Sequence, residues 1–199
     1  RGAFHIHLGS GDWPVHLRPI DATTALLDVE AAIPTFVGER FIVRDAGRRA
    51  VVAGGRVLHP FPPRRRRRTT EAATTMRAVL DSDPDARADA LLGTLGIAAP
   101  SLLAEASGGG VPTSALVAGE FATTPAHITA AGERALTATR SHHATHPLRD
   151  GIPKAELADA AGLPAAFIDH LISGRPELES VGAAVAADGH RPRLTEAQA

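Results

Sequence analysis

"HPFPPRRRRRTTEA", residues 59–72, separates two kinds of sequence pattern. Pro60, Pro62 and Pro63 close whatever strand precedes them, because proline has no N–H to give a ladder. Five consecutive arginines follow, Arg64 to Arg68, and beyond them the hydrophobic period changes. On the N-terminal side apolar residues alternate with polar ones, the period of strands with one buried face. "AFHIHL" sets Phe4, Ile6 and Leu8 against His5 and His7, and "PVHLRPI" sets Val15 with Leu17. "ALLDVEAAI" aligns Leu27, Val29 and Ile33. "RFIVRD", "AVVA" and "RVLH" follow as further short strands between Gly and Asp-Ala-Gly turns. Six short strands with no helical interval predict a small antiparallel β-barrel.

On the C-terminal side the period is helical. Thr70 is placed to cap a helix through Leu80, and Asp83-Pro84 opens another that runs to about Leu95. Further on, Pro153 leads "KAELADAAG" with Gly162 as its stop, and Pro164 leads a helix whose apolar face is Phe167, Ile168, Leu171 and Ile172. An extended segment holding Val181 and Val185, a turn at Asp188-Gly189 and "HRPRL" read as a closing hairpin. Helix, short helix, helix, hairpin is the order of a winged helix. The unit has a candidate repeat, since "GIAAPSLLAEASGG" from 96 aligns with "GIPKAELADAAGLP" from 151 at a spacing of 55. The predicted fold class is thus a β-barrel followed by α+β winged-helix modules. The barrel takes residues 1–63 and is N-terminally truncated, and a basic linker takes 64–70. A first winged-helix-like module takes 71–128, and a second, C-terminally truncated, takes 129–199.

Charge is local. The 199 residues sum to −1, but residues 1–63 carry seven arginines against six acids, the run adds five positive charges, and residues 69–199 hold nine basic against sixteen acidic residues. A chain so balanced is no general nucleic-acid coat. The absence of cysteine excludes disulfides, thiolate metal sites and thiol nucleophiles. No stretch has the make-up of a membrane span or a secretory signal, so the reading is cytoplasmic. Arg1 is no initiator and Met76 is the sole methionine, which suggests an excised fragment.

Several groups invite chemistry. A P-loop is excluded, because the only lysine, Lys154, follows Pro153 rather than glycine. His142, His143 and His146 in "SHHATH" suggest a zinc-dependent hydrolase, but no carboxylate lies among them. His5 and His7 have the i, i+2 spacing of strand ligands and equally of a solvent face. Ser10 and Asp12 in "GSGDW" read as a turn, Trp13 as a cover for a sheet edge, and "SGGG" at 107–110 as a loop. No metal site is expected. The arginine run is either a solvated linker, a sorting signal, or a set of bidentate contacts to RNA phosphates, and linker and contact are compatible. Arg149, Lys154, Arg191 and Arg193 surround the second helical module as weaker backbone-contact candidates. A winged-helix DNA-binding regulator with a β-barrel is the alternative, against which "PAAFIDHLISG" contains no Lys or Arg.

Read as a unit, "FVGERFIVRDAGRRAVVAGGRVLHPFPP" (36–63) resembles the end of the third domain of elongation factor Tu-like proteins. Its Gly-Glu-Arg-Phe turn, Arg-Asp strand end, Gly-rich strand and Val-Leu-X-Pro before a basic run are similar to the selenocysteine-specific elongation factor (SelB) family. "HIHLGS" fits that family's early strand and "HHATHPLRDGIPKAEL" its winged-helix region. His59 stands where the family has Asp, while Gly54 and Gly55 are expected to keep a permissive backbone. The resemblance implies a fragment that helps hold selenocysteinyl-tRNA for the ribosome. It also implies winged helices that reach toward the selenocysteine-insertion mRNA hairpin, which missing C-terminal modules would read. In the full-length family GTP and Mg²⁺ are bound by a GTPase domain outside this segment, so the fragment itself is expected to be no enzyme and to hold no cofactor. The RNA-binding residues expected are Arg64, Arg65, Arg66, Arg67, Arg68 and Lys154.

Overall fold

The computed structural model describes residues 4–192. The chain clusters into two compact units, one up to Ser114 and one from Ala115 onward. Compactness and sequence period therefore divide the chain at different places.

The first unit begins with five antiparallel strands, β1 (Phe4–Leu8), β2 (Gly11–Pro19), β3 (Ala25–Asp28), β4 (Arg40–Asp45) and β5 (Ala50–Arg56), in the order β3-β2-β1-β4-β5. The alternation read from the sequence sets the faces. Ile6, Leu8, Val15 and Val43 are buried together, with Phe4, Trp13, Leu17, Leu27, Val29, Ile33 and Phe41 packed against them. On β4 the intervening Arg40, Ile42 and Arg44 are exposed. Two expectations change. The sheet has five strands rather than six, because "AVVA" and the start of "RVLH" form one strand, β5. It is also open, with β3 and β5 at its edges, so the described residues make a curled half-barrel. Its inner side and the helix that follows line an apolar hollow of about 1140 Å³.

Gly54 and Gly55 do not break β5, and neither has a positive φ. The requirement for Gly55 is space: a Cβ there would stand 2.8 Å from the Phe41 ring, which lies across its strand partner. Gly11 serves Trp13 in the same way, the indole covering the place a side chain would take.

Helix α1 (Arg66–Ala78) and α2 (Pro84–Leu95) come next, then the short strand β6 (Ile97–Ala98) and α3 (Pro100–Ser107). As expected, Asp83 caps α2, accepting from the Ala86 N–H at 2.9 Å, with Pro84 in the first turn. The amides' hydrogen bonds, that of Ala86 foremost, hold the Asp83 carboxyl below its ordinary range. Helix α1, however, starts at Arg66 rather than at Thr70. Thr69, Ala72, Ala73 and Met76 are its buried residues, spaced i, i+3, i+4, i+7, so the packed face already begins at Thr69. Thr70 is inside the helix, returning its hydroxyl to the Arg66 carbonyl.

The second unit holds a hairpin, β7 (Leu116–Ala118) and β8 (Phe121–Thr123), then α4 (Pro125–Thr145). Thr124 caps α4 by accepting from the His127 N–H. After it come β9 (Ile152–Pro153), α5 (Lys154–Ala161), a 3-10 turn (Ala165–Phe167), α6 (Ile168–Ser173), β10 (Leu178–Val181) and β11 (Ala184–Ala187), with sheet order β10-β11-β9. Phe167, Ile168 and Leu171 are buried as the apolar pattern required. The hairpin turns at Gly182-Ala183, where Gly182 has φ 60°, and not at Asp188-Gly189. The "HRPRL" segment lies partly outside the described residues, and Arg193 with it. Among the described residues no helix is long and apolar enough to cross a membrane.

Candidate nucleic-acid interface

The arginine run is built onto the end of the sheet by a chain of fasteners within the first unit. After β5, the Val57 amide and carbonyl bond to Glu39 O and Gly38 N at 2.9 and 2.7 Å. The Arg56 guanidinium reaches the Gly38 carbonyl, the Leu80 carbonyl and the Asp81 carboxylate. Arg77 on α1 pairs with Asp21 at 3.2 Å. His59 occupies the first step of the run-in. Its Nδ1 accepts the Phe61 N–H at 3.0 Å, which leaves Nε2 to donate to Thr94 Oγ1 at 2.8 Å. Burial pushes the His59 imidazole down to about 4, so it is neutral at physiological pH and this tautomer persists. The Thr69 hydroxyl then contacts the Pro63 carbonyl, fixing the last proline to α1.

Arg64 to Arg68 are all exposed. Arg65 is the N-terminal boundary residue of α1 without a side-chain cap, and the first turn contains no acid. Positive side chains there oppose the helix dipole, which favours anions at this end. Arg67 pairs with Glu71, one turn on along α1, at 2.9 Å. An exposed pair of this kind neutralises little. The run is thus only partly a linker: its last three members are helical, and their guanidinium groups project from a fixed backbone.

The other expected contact residue belongs to the second unit. Lys154 stands in the first turn of α5 with its ammonium 2.7 Å from Asp169 on α6. Arg149 and Arg191 are exposed on that unit. Helix α6 carries Asp169 and His170 but no Lys or Arg.

The histidines of "SHHATH" diverge. His142 is buried, stacked on His146 with centroids 4.5 Å apart, and its Nδ1 is 3.8 Å from Glu156. His143 accepts the Ala187 N–H at 3.0 Å and stacks on His190 at 3.4 Å. Burial, then the neighbouring His190 and His142, hold His143 below its ordinary value. His5 and His7 both face Asp12, at 2.8 and 3.7 Å. Among the described residues no three such side chains are grouped to hold a metal ion. Sequence reasoning did not find the His59–Thr94 fastener or the α1 threonines. The signal for the first was a histidine between two strand-ending residues, which has no distinctive pattern.

With this geometry in hand, comparison with known proteins is informative at the sheet. Residues 2–64 match the family "Selenocysteine-specific elongation factor, beta-barrel domain". The matched stretch is the one that carries the five-stranded sheet. The match ends at Arg64, the first residue of the run. The whole fold is similar to a crystal structure of the bacterial selenocysteine-specific elongation factor EF-Sec, with TM-score 0.68 and 10% identity. That likeness covers 94% of this chain and 32% of the EF-Sec chain, so the present chain spans about a third of its neighbour. No curated protein matches the sequence. A curled antiparallel sheet followed by helices and small sheets is thus the order of classes read from the sequence.

Proposed function

We propose that this chain is the middle portion of a cytoplasmic elongation factor that delivers selenocysteinyl-tRNA to ribosomes at recoded UGA codons. The observation that carries the reading is continuity. A SelB-type barrel sequence over residues 2–64 runs into a fold that follows EF-Sec over 94% of the chain. The half-barrel helps hold the tRNA. Residues 71–128 and 129–199 form winged-helix modules that space the tRNA from the mRNA hairpin, which further C-terminal modules read. From α4 onward the element order, helix, strand, two helices and a two-stranded hairpin, supports the second of these assignments. GTP and Mg²⁺ belong to a GTPase domain elsewhere in the protein, and this portion contributes binding rather than chemistry.

Arg64 to Arg68 are the RNA contacts, holding phosphate oxygens through bidentate, sequence-independent bonds. Lys154, tied to Asp169, is a secondary contact that must exchange a carboxylate for a phosphate. The test is a salt titration of binding to selenocysteine tRNA, with an elongator tRNA and a DNA duplex as controls. Selective tRNA binding is expected, with a log–log salt slope that falls by about four when Arg64–Arg68 become serine. Preference for the DNA duplex would overturn the reading.

A further inference from the structure

Phe61 is a large apolar side chain placed where no core needs it. It is 46% exposed. Its neighbours Pro60 and Pro62 both line the apolar hollow of the first unit, whereas Phe61 does not. The backbone bends at Pro60 and Phe61, so that Pro60 and Pro62 face the hollow while the ring stands outward. Three prolines in four residues restrict the backbone before any ligand arrives. Two fasteners hold it at either end: the Phe61 N–H on His59 Nδ1, with His59 tied to Thr94, and the Pro63 carbonyl on the Thr69 hydroxyl. Arg64 follows three residues later, at most about 10 Å along the chain. An exposed ring on a stiff backbone beside a dense run of guanidinium groups combines the two elements of unpaired-strand recognition. One is an aromatic face for a base, and the other is positive charge for the phosphates that flank it.

We propose that Phe61 is a base-stacking residue, and that the RNA on Arg64–Arg68 presents an unpaired nucleotide to it. This rests on the RNA-binding reading above and sharpens it, since phosphate contacts alone do not distinguish a duplex from a loop. A duplex keeps its bases stacked on one another and offers only its end to the ring. A bulge, loop or single-stranded end offers a free face. Phenylalanine has no polar group to read base edges, so the preference is for unpaired over paired nucleotides and not for one base over another.

The probe is a hairpin RNA with 2-aminopurine in its loop, compared with a blunt RNA duplex of equal charge, using the full 199-residue chain. The wild type is expected to bind the hairpin more tightly than the duplex and to change the 2-aminopurine fluorescence. Phe61→Ala should weaken hairpin binding roughly tenfold, the worth of one stacked base, with duplex binding and the salt slope unchanged. Phe61→Trp should restore both affinity and the fluorescence change, which a merely unfolded variant could not do. Replacing Arg64–Arg68 by serine should instead flatten the salt slope for both RNAs. If Phe61→Ala binds the hairpin like the wild type while the arginine variant loses it, the stacking inference is wrong and the RNA-binding reading stands. If the wild type binds neither RNA, both are wrong.

Discussion

Residues 96–108 and 151–162 fold into the same short series of elements around different constraints. Each has a glycine, a two-residue strand beginning at isoleucine, an eight-residue helix, and a closing glycine in the left-handed region, Gly108 at φ 70° and Gly162 at φ 65°. The strands β6 and β9 begin 55 residues apart, but the helices α3 and α5 begin 54 apart, because Ala99 intervenes only in the first. One residue turns a helix by about 100°. The buried sets differ accordingly: Leu103, Ala106 and Ser107 in α3, Leu157, Ala158 and Ala161 in α5. The leading glycines differ too. Gly96 is required by its backbone, at φ 80°. Gly151 is required by its surroundings, since a Cβ there would collide with the Val185 carbonyl. A repeated letter at a repeated place can thus answer to unrelated demands.

The largest expected effect tests what the two motifs share. Leu103 and Leu157 are both fully buried. Leu103→Ala and Leu157→Ala should each destabilise by about 2–5 kcal/mol in denaturant titration, and a near-zero cost at either would break the equivalence. The glycines test the difference. Gly151→Ala should cost about 3 kcal/mol, because β11 backbone must move, against about 1–2 kcal/mol for the positive φ at Gly96 in Gly96→Ala. Equal losses would refute the two-constraint account.

A third comparison sets His59 of the first unit against the histidines of the second. The folded-state value of His59, about 4, lies below the ordinary 6.5. Between these values the unfolded chain binds a proton that the folded chain does not. Stability is therefore complete above pH 6.5, declines as pH falls toward 4, and levels off below. The loss is about 2 kcal/mol, allowing for the part of the ring that solvent screens, and His59→Asn should remove it from the pH profile of thermal melting. His143 is shifted in the same direction, so its contribution has the same sign. The smallest effect concerns Lys154 and Asp169, an ion pair open to solvent. A double-mutant cycle to alanine should give less than about 1 kcal/mol of coupling.

Much of the fold was legible because local signals were strong. Asp83-Pro84 placed the start of α2 correctly, and Gly162 marked the end of α5, since caps and breakers act within a few residues. The early start of α1 was hidden because arginine is a good helix former and carries no start signal; the packing of Thr69 decides it. Gly54-Gly55 resembled a strand break, and only the position of the Phe41 ring explains why the strand continues. The hairpin turn went to Gly182 because Val181 pairs with Ala184 and Leu178 with Ala187, a register in which Asp188 falls beyond the ladder. At the candidate interface the charge of Arg64–Arg68 was visible in the sequence. That the last three belong to a helix, and that Phe61 is held outward beside them, required the fasteners at His59 and Thr69.

The ring of Phe41 over Gly55 also bears on how this sheet can change. With 2.8 Å between the ring and the place of a Cβ, the two positions constitute one inheritable choice. A side chain at 55 becomes acceptable only after the aromatic at 41 has shrunk, and a smaller residue at 41 opens a gap until 55 has grown. Each single step passes through a less stable intermediate, so related sequences should show the two letters exchanging together or not at all.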